Sequence, residues 1–99
     1  MATKDSVRER TDSKLKEPKL YQVIMWNDDF TSMDFVVSIL IEIFHKDPAT
    51  ARTLMLHVHK NGSAVVGKYP YDIAQTKVDA AVLRAREEGY PFKLTMEEE

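Results

Sequence analysis

The sequence predicts an α+β domain with elements in the order β-α-α-β-α-β, an open sandwich in which a three-stranded, mostly antiparallel sheet packs against three helices. Three observations predict it. An apolar run rich in β-formers, ending Val23-Ile24-Met25-Trp26, breaks off at Asn27-Asp28-Asp29, the residue types that most readily turn a strand. Two prolines, Pro48 and Pro70, stand at the head of segments with helical spacing. Asn61-Gly62 and Gly89 stop those segments with the residues that accept a left-handed backbone.

Residues 1–18 are Lys, Arg, Asp, Glu, Ser and Thr with almost nothing to bury, and are expected to form a flexible tail ahead of a core at 19–97. The tail is either an inert terminus or an arm that touches a partner. Lys19–Trp26 reads as a first strand, apolar enough in its second half to be central in the sheet. Thr31–His45 is rich in β-branched residues, yet its four-turn length and the Asp34, Ser38, Glu42 stripe at i, i+4 predict a helix. Thr31 is expected to cap that helix, answered by Asp34 in a capping box, and its otherwise apolar surface predicts packing on two sides.

Asp47-Pro48 opens a second helix, with Ala51, Leu54, Met55 and Val58 as its buried stripe and His59 at the stripe's edge. Ser63–Tyr69 reads as a strand in which Gly67 marks a bulge or a close approach. Tyr71–Glu88 is a third helix with Ala74, Val78, Ala81 and Ala85 inward, and Phe92–Met96 is a last strand before a solvated Glu97-Glu98-Glu99 end.

Composition excludes several functions. A chain of 99 residues forms one domain, too small to hide a deep multi-substrate active site. A net charge of -2 and a pI near 5.9 argue against nucleic acid as the main partner. The chain has no cysteine, hence no disulfide, thiolate nucleophile or zinc-thiolate site, which fits a reducing compartment. The longest apolar run, Phe35–Phe44, is interrupted by Ser38 and Glu42 and is too short to span a bilayer, so a soluble protein is expected. The first 18 residues have neither the apolar core of a secretory signal nor the acid-poor composition of a transit peptide.

Three features have chemical potential. A helix start usually calls for one acid, whereas Asn27, Asp28, Asp29 and Asp34 cluster at this one. They are either a turn with a cap or a site for a cationic donor such as an ammonium group. With His59 they offer an amide oxygen, a carboxylate and an imidazole nitrogen, the three acceptors that a protonated amino terminus needs. Acid–base catalysis by the same groups is disfavoured, because no Cys, Gly-x-Ser-x-Gly setting or phosphate loop accompanies them.

The second feature is His57-Val58-His59. On a helix these imidazoles diverge by about 200°, so no metal site or cofactor is expected of them. His59 is otherwise a structural residue. The third is the set Met25, Met33, Met55 and Met96, either ordinary core or, with Val36 and Val58, the wall of an adaptable pocket.

Leu20–Val37, containing Trp26-Asn27-Asp28-Asp29-Phe30-Thr31, together with Met55-Leu56-His57-Val58-His59-Lys60-Asn61-Gly62 and Ala74-Gln75-Thr76-Lys77-Val78, strongly resembles the ClpS adaptor family. The resemblance covers about residues 19–97. It implies a non-enzymatic adaptor that captures proteins by a destabilising first residue and delivers them to a Clp AAA+ unfoldase, ClpA or ClpC, for degradation. It further implies that Asn27, Asp28 and His59 hold the α-amino group. Asp29, Thr31, Met33, Val36, Met55, Val58 and Phe92 would form a pocket for Leu, Phe, Tyr or Trp, with Met33 as its gate against β-branched residues. Asp72 and Lys77 would touch the unfoldase's N-terminal domain, and the tail would be the extension offered to it. A cytoplasmic monomer without cofactor is the expected form. The chain departs from the family pattern at Trp26, Ser32, Asp72, Gln75 and Phe92. Ser32, in place of proline, is expected to loosen the helix start without changing its cap, and the bulk of Phe92 to favour Leu or Phe over Trp. The alternative is another peptide- or protein-binding module of the same fold without N-end specificity, such as the C-terminal domain of the ribosomal stalk protein.

Overall fold

The computed structural model describes residues 18–99, so the expected tail at 1–18 lies outside the described residues but for its last position. The elements are β1 (Leu20–Trp26), α1 (Met33–Glu42), α2 (Pro48–Asn61), β2 (Ser63–Pro70), α3 (Tyr71–Glu88) and β3 (Lys93–Glu98). The sheet order is β2-β1-β3, and both neighbours run antiparallel to the central β1. Alternation along β1 turns Val23 and Met25, both fully buried, toward the helices. Ile24 and Trp26 point to the opposite face, where Val65 and Thr95 lie across from Ile24 and Lys93 lies across from Trp26. Leu40 and Ile39 of α1, Ala51 and Val58 of α2, and the small row Ala74, Val78, Ala81 and Ala85 of α3 complete the core. Among the described residues no helix is long and apolar enough to cross a membrane.

The two framed helices follow their signals closely. Asp47 caps α2 by accepting from the Thr50 amide and hydroxyl, and Gly62 ends it at φ 94°. Gly89 ends α3 at φ 82°. At Gly67 the register between β1 and β2 slips: Val23 pairs with Gly67 but Ile24 with Val65, leaving Val66 as the bulged residue, turned into the core. A Cβ on Gly67 would stand 2.5 Å from Tyr69 Oη and 2.8 Å from its Cζ. The ring cannot swing away freely, because it packs beside Phe44 and under the Lys77 ammonium. Gly67→Ala should therefore cost about 1–3 kcal/mol in urea denaturation. A neutral substitution would show that Tyr69 yields.

The boundaries of α1 differ from expectation. Its cap is Ser32, whose Oγ accepts from the Phe35 amide at 3.1 Å, not Thr31. Thr31 instead turns its hydroxyl to Asp28, and Ser32, expected to leave the cap unchanged, is the cap. Asp34 lies in the first turn, where a carboxylate favours the helix dipole. The helix stops at Glu42 and not at His45. Ile43 is its C-cap, Lys46 donates to the Leu40 carbonyl, and His45 takes φ 58° where a glycine would be usual. The cause is tertiary: the Lys77 ammonium, reaching from α3, donates to the Ile43 carbonyl at 2.8 Å and so satisfies a helix end. The last strand also shifts, from the expected 92–96 to Lys93–Glu98. Its terminal acids are not a free end, because Glu97 and Glu98 pair with Gln22 and Tyr21, and Lys19 and Lys68 bind the carboxylates of Glu98 and Glu99.

Candidate functional site

A pocket of about 170 Å³ opens where β1 ends, between the start of α1 and the last turns of α2. That volume is comparable to a cavity that holds a benzene ring. Asn27, Asp28 and His59 line it together with Asp29, Thr31, Met33, Val36, Met55, Val58 and Phe92, so ten residues drawn from three separate stretches meet at one place. Met25 and Trp26 line it as well. Met25 belongs to the methionine set noted in the sequence, whereas Trp26 was not assigned to the pocket; its position directly before Asn27 was the available signal. Met96 lies outside the lining.

The polar end is built on the turn after β1. The Asn27 amide donates to the Gly62 carbonyl at 2.9 Å, tying that turn to the end of α2 and hence to the His59 region. Asp28 Oδ1 accepts from the amides of Phe30 at 2.8 Å and Thr31 at 2.7 Å, and Oδ2 accepts from the Thr31 hydroxyl at 2.7 Å. A carboxylate has about four lone-pair sites, so this turn occupies all but one and leaves a negative charge at the pocket. Among the described residues the side chains of Asn27 and His59 have no hydrogen-bond partner. His57 faces elsewhere, its Nδ1 lying 3.1 Å from Asn61 Nδ2.

Partial burial pushes the Asp28 carboxyl upward, but the Thr31 hydroxyl and the Thr31 and Phe30 amides outweigh it and hold the group below its ordinary range. A carboxyl lowered by folding contributes stability that is present above its unfolded pKa and is lost as pH falls through the folded one. Thr31→Val removes the hydroxyl donor and should move the Asp28 midpoint upward in an NMR titration. An unmoved midpoint would mean that the two amides alone set it.

The apolar end is stiffened from behind. Phe35 packs against Tyr90 at 4.9 Å and edge-on to Phe92 at 5.8 Å, and Tyr90 Oη donates to the capping Ser32 oxygen. Phe92 stands just ahead of β3, and Met25 forms a floor closed to solvent. Met33 is half exposed at the mouth, and Phe30 projects into solvent beside it at 77% exposure. An amide, a carboxylate and an imidazole thus border an apolar hollow, a combination suited to holding a charged donor and a large side chain together.

Asp72 and Lys77 lie elsewhere, on α3. Asp72 is exposed in the first turn, while Lys77 is partly buried, its ammonium bound to the Ile43 carbonyl and lying 5.3 Å from the Tyr69 ring centre. Among the described residues no group of three or more His, Cys, Asp or Glu is placed to hold a metal ion.

Residues 16–95 match the family model described as ATP-dependent Clp protease adaptor protein ClpS. The chain is 52% identical over 85 residues to the ATP-dependent Clp protease adapter protein ClpS of Clostridium acetobutylicum, covering 86% of this chain and 84% of that relative. It is 50% identical over 93 residues to the adapter of the same name from Burkholderia mallei, covering 94% and 89%. A solved structure, described as Agrobacterium tumefaciens ClpS2 bound to L-phenylalaninamide, superposes with a TM-score of 0.80 at 41% identity, covering 84% of this chain and all of that one. On the strength of a family match over most of its length, close relatives and a shared fold, the chain belongs to the ClpS family and is an adaptor of the Clp protease, not an enzyme.

Proposed function

We propose that the pocket captures N-degron substrates, proteins whose first residue is Leu, Phe, Tyr or Trp, and that the adaptor delivers them to the N-terminal domain of a Clp AAA+ unfoldase, ClpA or ClpC. The observation that carries this reading is the meeting of Asn27, Asp28 and His59 with an apolar hollow in one cavity. L-phenylalaninamide, bound by the Agrobacterium relative, is itself a free α-amine beside a phenyl ring, which supports the same use here. The ammonium places its three N–H donors on the Asn27 side-chain oxygen, the open lone pair of Asp28 and a ring nitrogen of His59. The first side chain enters between Met25, Val36, Met55, Val58 and Phe92, past Met33 at the mouth. Hydrogen bonds to a charged group contribute roughly 1.5–3 kcal/mol each, and burial of a large side chain roughly as much again. Less the cost of immobilising the peptide, the sum is near the roughly 8 kcal/mol of a micromolar complex. An internal Leu lacks the amine, and an N-terminal Ser lacks the side chain.

Delivery falls to other parts of the chain. Asp72 is the exposed acid offered to the unfoldase, Lys77 further along the same helix is the second contact, and residues 1–18 are the segment presented during transfer. The adaptor works as a cytoplasmic monomer without cofactor.

A peptide array sorted by first residue tests the reading. The wild-type chain should retain Leu, Phe, Tyr and Trp peptides and lose the rest. His59→Ala should weaken the signal by about tenfold or more, while His57→Ala leaves it nearly unchanged. Binding that ignores the first residue would identify a peptide module of another kind, and the reverse order of the two histidines would assign the amine to the wrong imidazole.

A further inference from the structure

The oxygen that caps α1 has a second partner. Ser32 Oγ accepts from the Phe35 amide at 3.1 Å and from Tyr90 Oη at 3.2 Å, the latter 58 positions away in the chain. A hydroxyl oxygen accepts through its lone pairs, and both are engaged here, so the cap is held from two directions. Tyr90 is itself fixed. Its amide donates to the Ala85 carbonyl at 2.8 Å, just past the turn at Gly89, and its ring packs on Phe35 with centres 4.9 Å apart. This tether reaches the cavity on two sides. Met33 and Val36, three residues apart and so on one face of α1, both line the cavity, and Met33 directly follows Ser32. Phe92, two residues past Tyr90, lines it as well. It is buried like Leu94, which pairs with inward-facing Met25, and its ring meets Phe35 edge-on, so it stands on the helix side of the sheet.

We infer that Tyr90 is a positioning residue for the pocket: its hydroxyl, acting through Ser32, fixes where α1 begins and hence how far Met33 moves at the mouth. The inference rests on the peptide-binding reading of the pocket. A methionine is unbranched and repacks easily around different guests, so it discriminates by shape only when its backbone is held. The start of a helix is where that hold is weakest, because the first amides have no partner within the helix. Tyr90 steadies the one side-chain oxygen that satisfies the Phe35 amide. Tyr90 lines no part of the cavity, so an effect of its hydroxyl on the choice of guest passes through the Ser32 cap.

Two peptides identical except for a first residue of Leu or Ile test this. The side chains are isomers that differ only in where they branch, so their affinity ratio reads shape at the mouth and not buried area. Displacement calorimetry should show the wild type preferring Leu. Tyr90→Phe keeps the ring on Phe35 and removes only the hydroxyl, and should shrink that preference by about threefold. A loss of stability alone would change both affinities by one factor and leave the ratio where it was. Ser32→Gly removes the shared oxygen while keeping a residue that helix N-caps tolerate, and should shrink the preference too. In the Ser32→Gly background Tyr90→Phe should have no further effect, as expected when one residue acts through the other. Methyl NMR of the free protein adds a second readout: the Met33 resonance should move in Tyr90→Phe while that of Met96, outside the pocket lining, stays in place.

If Ser32→Gly does not fold, Tyr90→Phe carries the test through the affinity ratio and the Met33 methyl, and an unmoved methyl then overturns the inference. A wild type that takes Leu and Ile alike, an unchanged ratio in Tyr90→Phe, or a Tyr90→Phe effect that persists without the Ser32 oxygen would also overturn it, while leaving the pocket's use intact. A wild-type chain that does not bind the Leu peptide would overturn both, and that failure is visible before any variant is compared.

Discussion

Acetylating the α-amine of a Leu-starting peptide is expected to lower its affinity for this chain by about a hundredfold or more, measured by calorimetry on matched peptides. Acetylation removes the charge and two of the three donors while leaving the leucine untouched. The polar end is prepared for a cation in a specific way. Asp28 already takes three hydrogen bonds from its own turn, so it arrives ionised and fixed in place, with one lone pair to give. Asn27 is tied by its backbone to Gly62, which holds the β1 turn beside the end of α2 that bears His59. A preorganised anion of this kind loses little freedom on binding, so most of its attraction reaches the complex. The same argument predicts weaker binding as pH climbs through the amine's own pKa near about 7.7–8.0. Equal affinity of the acetylated and free peptides would mean that Asn27, Asp28 and His59 only shape the turn.

Phe35→Ala should cost about 3–5 kcal/mol of stability, a large part of the roughly 5–15 kcal/mol available to a domain. Phe35 is nearly buried, and its ring is the common neighbour of Tyr90 and Phe92. Its removal opens a cavity behind the pocket and leaves Phe92 without a backing. The Tm should fall by an amount on the order of 15 °C, and the discrimination among first residues should weaken with it. A loss below about 1 kcal/mol would show that Tyr90 and Phe92 close over the hole.

The local signals settled much of the architecture. Pro48, Asn61-Gly62, Pro70 and Gly89 place α2 and α3 to within a residue, because each acts through its own backbone and needs no neighbour. Gly67 marked the irregularity of β2 for a different reason: the bulged residue is its neighbour Val66, and the Tyr69 ring leaves no room for a Cβ at 67. The residues of the pocket were also legible, though their meeting was carried by the family resemblance of three motifs and not by any spacing between Asn27, His59 and Phe92.

Contacts between distant segments decided the rest. No periodicity ends α1 at Glu42: a lysine 34 residues further on satisfies its carbonyl end, and His45 takes the left-handed turn. Likewise Glu97 and Glu98 become strand because β1 offers them ladder bonds and two lysines neutralise the acids that follow and include them. Thr31 left the cap to Ser32 because Asp28 competes for its hydroxyl. Sequence by itself determined what each residue prefers with its nearest neighbours. Which of several acceptors a donor reaches, and hence where α1 ends and how Ser32 is held, depended on the folded arrangement that brings those atoms within hydrogen-bond distance.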